Sequence, residues 1–292
     1  MADEQRPRVG IIGAGRVGSS LGYALHTHGY KIAAVWSRNS DHAHELATDI
    51  HAPVVTTPPN VLVLADVTLL ALADDTIRPF AADMATHLLG HHGAVVHLSG
   101  AQDAAVLAPL AAVGMQTGAL HPLQTFAHKR APILSGTAFA VEADEPLHTI
   151  LRTLVTDLDG ILLDIPSASR ALYHAAGAFT ANYTVALMAQ AVALLEQCGI
   201  SKETGLQALL PLLRGTVDSL NETGLPNALT GPIARGDSGT VQRHLTALTT
   251  HAPQHLALYH LLGEATLQLA VERGLTEQQQ QDLAQLLNTT KM

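Results

Sequence analysis

The sequence predicts an α/β protein, a doubly wound and mostly parallel sheet followed by an all-α carboxyl-terminal region. Three observations carry this. Short, wholly apolar runs alternate with helical stretches up to about residue 165. A glycine-rich turn directly follows the first of those runs. From Ser167 onward the strand signals stop and Ala/Leu-rich helical stretches take over.

Val9–Ile12 is the first apolar run, and Arg16–Thr27 reads as a helix that stops at Gly29. Ile32–Trp36 is the second run, and residues 41–50 read as a helix capped by Asn39 or Ser40. Further strands are expected at 67–72, 94–98 and 115–120, with helices at 76–89 and 103–113 between them. Strands covered on both faces read as continuous apolar runs, and strand–helix–strand order implies parallel pairing. A further unit joins a strand at 137–141, a helix from Asp144-Glu145-Pro146 to about Leu158, and a strand at 161–165. Residues 169–198 then read as one long helix ended by Gly199, apolar on more than one stripe. The expected domains are therefore 1–165, an α/β unit, and 166–292, all-α.

Composition excludes several classes. Of 292 residues, 47% are hydrophobic and 14% charged, too apolar for a disordered chain. The formal charge of -9 argues against nucleic-acid binding. One cysteine, Cys198, forbids an internal disulfide. The opening MADEQRPRVG lacks signal-peptide order. No uninterrupted run of about 18 apolar residues is seen, so no membrane span is expected. A cytoplasmic protein follows. The 17 histidines are scattered without metal-ligand spacing, so no metal is expected.

The clearest chemical signal is Gly13-Ala14-Gly15-Arg16-Val17-Gly18, a G-x-G-x-x-G run between a strand and a helix. Gly13 permits the tight turn, Gly15 lets a pyrophosphate approach the backbone, and Gly18 lets helix and strand pack closely. The helix amino terminus offers N–H groups to the phosphates. This is the signature of a Rossmann-type domain. An NAD site expects an acidic residue about 20 residues into the motif. Here the second strand ends at Trp36 and Ser37-Arg38 follow. Ser37 and Arg38 suit a 2′-phosphate, which favours NADP(H) over NAD(H). Ala73 and Asp74, after the 67–72 strand, would floor the cofactor, with Asp75 as helix cap.

The reacting groups are expected at the same sheet edge. Ser99 ends one strand and His121 the next. Hydride transfer to or from a carbon bearing oxygen or nitrogen needs a proton partner, and histidine suits it. Ser99 would orient that imidazole or hold the reacting oxygen. His174 and Asn182 are polar residues in an apolar helix and must find partners. His174 is a rival proton donor. With Gln124, Asn182 and Arg235 it would shape the substrate pocket. Asp237 or Ser238 would cap the helix starting near Thr240.

These motifs together resemble a bacterial group of oxidoreductases that join a Rossmann-like NADP-binding domain to an uncharacterised helical domain. The resemblance rests on the glycine run, Ser37-Arg38, His97-Leu98-Ser99-Gly100 and Leu120-His121-Pro122-Leu123-Gln124-Thr125-Phe126. It extends to Tyr173-His174-Ala175-Ala176-Gly177, Asn182-Tyr183 and Gly231-Pro232-Ile233-Ala234-Arg235-Gly236-Asp237. The wider superfamily includes pyrroline-5-carboxylate reductase, prephenate dehydrogenase and 6-phosphogluconate dehydrogenase. Similarity to prephenate dehydrogenase implies catalytic roles for Ser99 and His121. That family has glycine where Gln124 stands here, which argues against prephenate itself. Similarity to pyrroline-5-carboxylate reductase implies a helical domain that forms a homodimer and completes the pocket.

The sequence therefore points to an NADP(H)-dependent oxidoreductase acting on a small, anionic carbonyl, imine or hydroxy compound. The alternatives are an NADP(H)-sensing regulator that docks a partner without turnover, and a deazaflavin-dependent reductase.

Overall fold

The structure is a computed structural model that describes residues 6–129 and 134–288. Its contacts divide the chain into two compact units, Met1–Ala181 and Asn182–Met292. The division falls later than the change of sequence character near 165, because the first helix of the apolar stretch lies with the sheet.

The first unit is built on a seven-stranded sheet in the order β2-β1-β3-β4-β5-β6-β7. The strands are β1 Val9–Ile12, β2 Ile32–Trp36, β3 Val67–Leu70, β4 Ala94–His97, β5 Gln116–Pro122, β6 Ala138–Ala143 and β7 Ile161–Asp164. All pairs are parallel except β5 with β6. Neighbouring residues along a strand face opposite sides. Ile11, Leu69 and Val96 enter one core, while Ile12, Leu70 and Val95 enter the other. Both faces are covered, so the runs carry no polar alternation. Each fully buried Ile or Leu contributes about 1.5–3 kcal/mol relative to exposure.

The helices that cover the sheet are α1 Arg16–Thr27, α2 Ser40–Asp49, α3 Pro58–Leu64, α4 Asp74–Ala85, α5 Ala108–Ala111 and α6 Leu147–Asp157. Leu21, Leu25, Leu46, Leu151 and Leu154 fill the first core, and Leu62, Ile77, Met84 and Leu110 the second. Four expectations need correcting. α3 is a helix that Pro58-Pro59 conceal in the sequence, since the pair sits at its first positions. The stretch expected as a helix over 103–113 is a 3-10 turn at Ala104–Leu107 running into the short α5. The helix after Glu145 starts at Leu147, with Pro146 as its cap residue. α4 starts at Asp74 with Ala73 as its cap residue, so Asp75 lies in the first turn and is not the cap.

The stretch 169–198 is not one helix. α7 spans Arg170–Thr180, Ala181 breaks the pattern, and α8 spans Asn182–Gln197 in the second unit. By length and composition alone Ser167–Gln197 would suffice for a membrane span: its most apolar 18-residue window has mean hydropathy 1.4, and 6% of that window is buried. Alanine and leucine raise the average despite Tyr173, His174, Asn182 and Gln190, which interrupt every purely apolar run.

The second unit continues with α9 Lys202–Thr223, α10 Ser238–His251, α11 Leu256–Glu272 and α12 Glu277–Leu287. Asp237 caps α10 by accepting from the Thr240 N–H at 2.9 Å. Thr276 and Gln279 cap α12 reciprocally. Val241, Leu245, Leu267, Ala270, Leu283 and Leu287 form the core of this unit.

Candidate functional site

The carboxyl ends of β1 to β5 share one edge of the sheet. β3 lies on the opposite side of β1 from β2, so the crevice at their ends is a topological switch point, where ligands bind in such sheets. Gly13 sits there with φ of +101°. A Cβ on it would lie 2.3 Å from the Ala71 carbonyl oxygen, and one on Gly18 would lie 2.0 Å from the Gly13 carbonyl oxygen. Both positions therefore require glycine for close packing. Gly15 differs, since a Cβ there would meet nothing within 4 Å. It is exposed, caps α1 without a side-chain hydrogen bond, and no acidic residue occupies the first turn. The α1 N–H groups and dipole thus face a space that the described residues leave open, which fits a diphosphate. Ala14 is buried, Val17 half-buried and Arg16 exposed.

Two further strand ends frame this turn. The Gly13 N–H donates to the Trp36 carbonyl at 2.8 Å, and the Ala71 N–H to the Ile12 carbonyl at 2.8 Å. Ser37 and Arg38 lie between the end of β2 and Asn39, whose side chain caps α2. Arg38 is exposed, and no ion pair involves it among the described residues. Ala73 and Asp74 are exposed at the start of α4. The loop after β5 returns over α1: the Lys129 carbonyl lies 3.1 Å from the Ser20 hydroxyl, whose closer acceptor is the Arg16 carbonyl at 2.6 Å, and Arg16 reaches the Phe126 carbonyl at 3.5 Å.

Beyond β4 the chain makes a tight turn held by His97. That imidazole is fully buried. Its Nε2–H donates to the Asp103 carbonyl at 3.0 Å, and its Nδ1 accepts from the Ser99 N–H at 3.2 Å. With both nitrogens engaged, His97 is a neutral clamp. Burial pushes its pKa down to about 4. Ser99 accepts from the Ala101 and Gln102 N–H groups at 3.2 and 3.1 Å, so it caps this turn. Its O–H makes no donor contact among the described residues, and no hydrogen bond joins it to His121.

His121 instead meets α7. Its Nδ1 lies 2.7 Å from the Tyr173 hydroxyl, with the two rings edge-on at 5.6 Å. The exposed His174 ring stands 6.4 Å away. Gly100 permits this packing, because a Cβ on it would lie 2.7 Å from His121 Nε2 and 2.9 Å from His174 Cδ2. Burial, then the Arg170 charge, then His174 push the His121 pKa down to about 4. Burial pushes the Tyr173 phenol up to about 12.

Arg170, whose charge acts on both His121 and Tyr173, is 2% exposed. Its Nε donates to the Gln102 carbonyl at 2.9 Å and stands 3.9 Å from Glu142 Oε2, while both terminal nitrogens lack a hydrogen-bond partner among the described residues. Sequence reasoning misses Arg170 and gives Tyr173 no role. An arginine opening an apolar helix is the available signal for the first, and the Tyr173-His174 pair for the second.

Gln124 is exposed and its Oε1 accepts from the Thr125 N–H, so nothing ties it to His121. Asn182 and Arg235 are exposed in the second unit, at the start of α8 and in the turn before α10. The Arg235 carbonyl accepts from Gln279. No group of three or more metal-capable side chains converges among the described residues.

Residues 2–122 match the model of a Rossmann-like domain, and residues 137–266 match a domain of unknown function, DUF2520. The chain joins a Rossmann-like domain to a DUF2520 domain. No curated protein matches it. Among solved structures it is similar to a provisionally named NADP oxidoreductase from Bacteroides fragilis, at 27% identity and TM-score 0.69, covering 90% of this chain and 98% of the other. A protein from Thermotoga maritima follows at 21% identity and TM-score 0.73, covering 91% and 99%. The pyrroline-5-carboxylate reductase of Streptococcus pyogenes shares 16% identity at TM-score 0.62, covering 91% and 97%. The latter two likenesses concern the fold.

Proposed function

We propose that this protein is an NADP(H)-dependent oxidoreductase acting on a small, anionic carbonyl, imine or hydroxy compound. One observation carries the reading: an exposed glycine turn and a half-buried, neutral histidine stand at the ends of strands sharing one sheet edge. The similarity to an NADP oxidoreductase over nearly the whole chain supports it. The turn at 13–18, Ser37, Arg38, Ala73 and Asp74 would hold the cofactor, which supplies hydride when bound. His121 is the proton partner. Ser99, with its acceptor sites taken by two N–H groups, donates outward to the reacting oxygen or nitrogen. Gln124 and the exposed His174 are the proposed substrate contacts of this unit.

Calorimetric titration with NADPH and NADH, followed by NADPH oxidation with a panel of 2-oxo acids and cyclic imines, tests this. Tight NADPH binding with turnover is expected; binding without turnover on any compound would favour a sensor. Arg38→Asp is expected to weaken NADPH about tenfold or more, since a charged hydrogen bond is worth about 1.5–3 kcal/mol. An unchanged preference for NADPH over NADH removes Arg38 from the site.

We also infer a homodimer through the helical region. Leu172, Val185 and Leu212 are 76%, 71% and 68% exposed. Val185 on α8 and Leu212 on α9 belong to helices that pack together in the second unit, and apolar side chains left on such a surface favour a partner. Light scattering is expected to give twice the chain mass, and a monomeric mass would exclude the dimer. Cys198 is free and exposed, which suits the proposed cytoplasmic setting.

A further inference from the structure

We propose that Tyr173 is a positioning residue for His121: its hydroxyl donates to Nδ1 and so fixes the imidazole in the tautomer that carries its proton on Nε2. The role in turnover rests on the oxidoreductase reading above, whereas the tautomer itself does not.

Two arrangements are open to the pair. In one, the phenol donates to Nδ1 at 2.7 Å. In the other, Nδ1–H donates to the phenol oxygen, and the phenol must turn its proton to the His121 carbonyl at 3.5 Å. Hydroxyl donors sit closest to their acceptors, near 2.7–2.8 Å, while N–H donors prefer about 2.9–3.0 Å. The short contact therefore belongs to a donating hydroxyl. The other contact lies at the outer limit of a hydrogen bond, so the second arrangement exchanges a strong bond for a weak one.

The surroundings leave the choice to Tyr173. Arg170 and His174 on α7, Asp74 on α4 and His97 on β4 are the titratable groups that act on the ring. None of them hydrogen-bonds to it among the described residues. Burial first, and then the positive charge of Arg170, disfavour imidazolium, so the ring is neutral, and a neutral imidazole has one donor and one acceptor nitrogen. Tyr173 decides which is which. Nε2 then carries the hydrogen on the side where Gly100 places no side chain. A neutral imidazole held this way polarises a carbonyl or imine by donating a hydrogen bond, without first being protonated. This also explains why Ser99 is not needed to orient the ring.

Long-range proton–nitrogen correlation spectra of the full-length, nitrogen-15-labelled protein without cofactor test the proposal. The expected wild-type spectrum at neutral pH shows His121 with Nε2 protonated and Nδ1 bare. In Tyr173→Phe, verified as folded by its thermal transition, the signals are expected to move toward a mixture of both tautomers. Turnover should fall about tenfold or more, the worth of a lost hydrogen bond, mainly in kcat. The acid limb of the pH profile should move to higher pH, because the bond to the neutral ring is gone. Nδ1-protonated His121 in the wild type overturns the proposal even if the variant does not fold. So does an unchanged tautomer in Tyr173→Phe, including the case where turnover falls, since Tyr173 would then act on substrate directly. If no compound is turned over, the spectra still decide the tautomer, and the failure falls on the oxidoreductase reading alone.

Discussion

His121→Ala is expected to lower turnover about 10²–10⁴-fold while NADPH binding persists, the range a positioned proton-transfer group contributes. The separation follows from where the residues lie. The diphosphate-binding turn is built from Gly13, Gly18 and the ends of β1 to β3. His121 stands on β5, two strands beyond, and holds nothing in that turn. Stopped-flow NADPH oxidation measured beside calorimetric NADPH binding checks both halves. Turnover at the wild-type rate would move the proton role to His174, whose ring is 6.4 Å away. A parallel loss of NADPH binding would mean that the variant disturbs the crevice itself.

Acidification is expected to destabilise the fold well before the carboxylates titrate. His97 and His121 are both held near pKa 4 by burial, against an ordinary value of 6.5. Between those values the unfolded chain binds protons that the folded chain refuses. Stability therefore rises with pH across that window and falls as pH drops from about 6.5 toward 4. At about 1.4 kcal/mol per unit, each imidazole accounts for about 3 kcal/mol at most. Asp66 behaves differently: Arg8 holds its carboxyl below the usual range, so its contribution is lost only as pH falls through carboxylate values. Denaturant unfolding at pH 7, 6 and 5 checks the slope, and His97→Asn is expected to remove roughly half of it, given two imidazoles of similar shift. A slope unchanged in that variant would mean that His97 takes up its proton in the folded state at an ordinary pH.

Much of the first unit is legible in the sequence because a sheet buried on both faces writes itself as unbroken apolar runs. Each expected strand is present within a few residues, and the glycine run lies between β1 and α1 as its spacing requires. The reversed direction of β6 is not legible, since strand polarity depends on a connection and not on composition. α3 is hidden because seven residues headed by two prolines show little helical periodicity. The break at Ala181 is silent as well, since nothing in that alanine marks the end of a helix. At the site, strand ends place Ser99 and His121 on one edge from sequence alone. The link through Tyr173 joins positions 52 residues apart and needs coordinates. Arg170 is likewise invisible as a buried charge, because arginine usually marks a surface.

The antiparallel pairing of β5 with β6 has an evolutionary corollary. Parallel neighbours must be bridged by a helical crossover, but opposed neighbours need none. The residues that follow β5 thereby need form no crossover helix, and they pass beside α1, with Phe126 against the first core and Lys129 paired with Glu45. Insertions, trims and randomised codons tolerated there would retune ligand choice without unpicking the sheet, which makes that stretch the natural target for directed evolution of this scaffold.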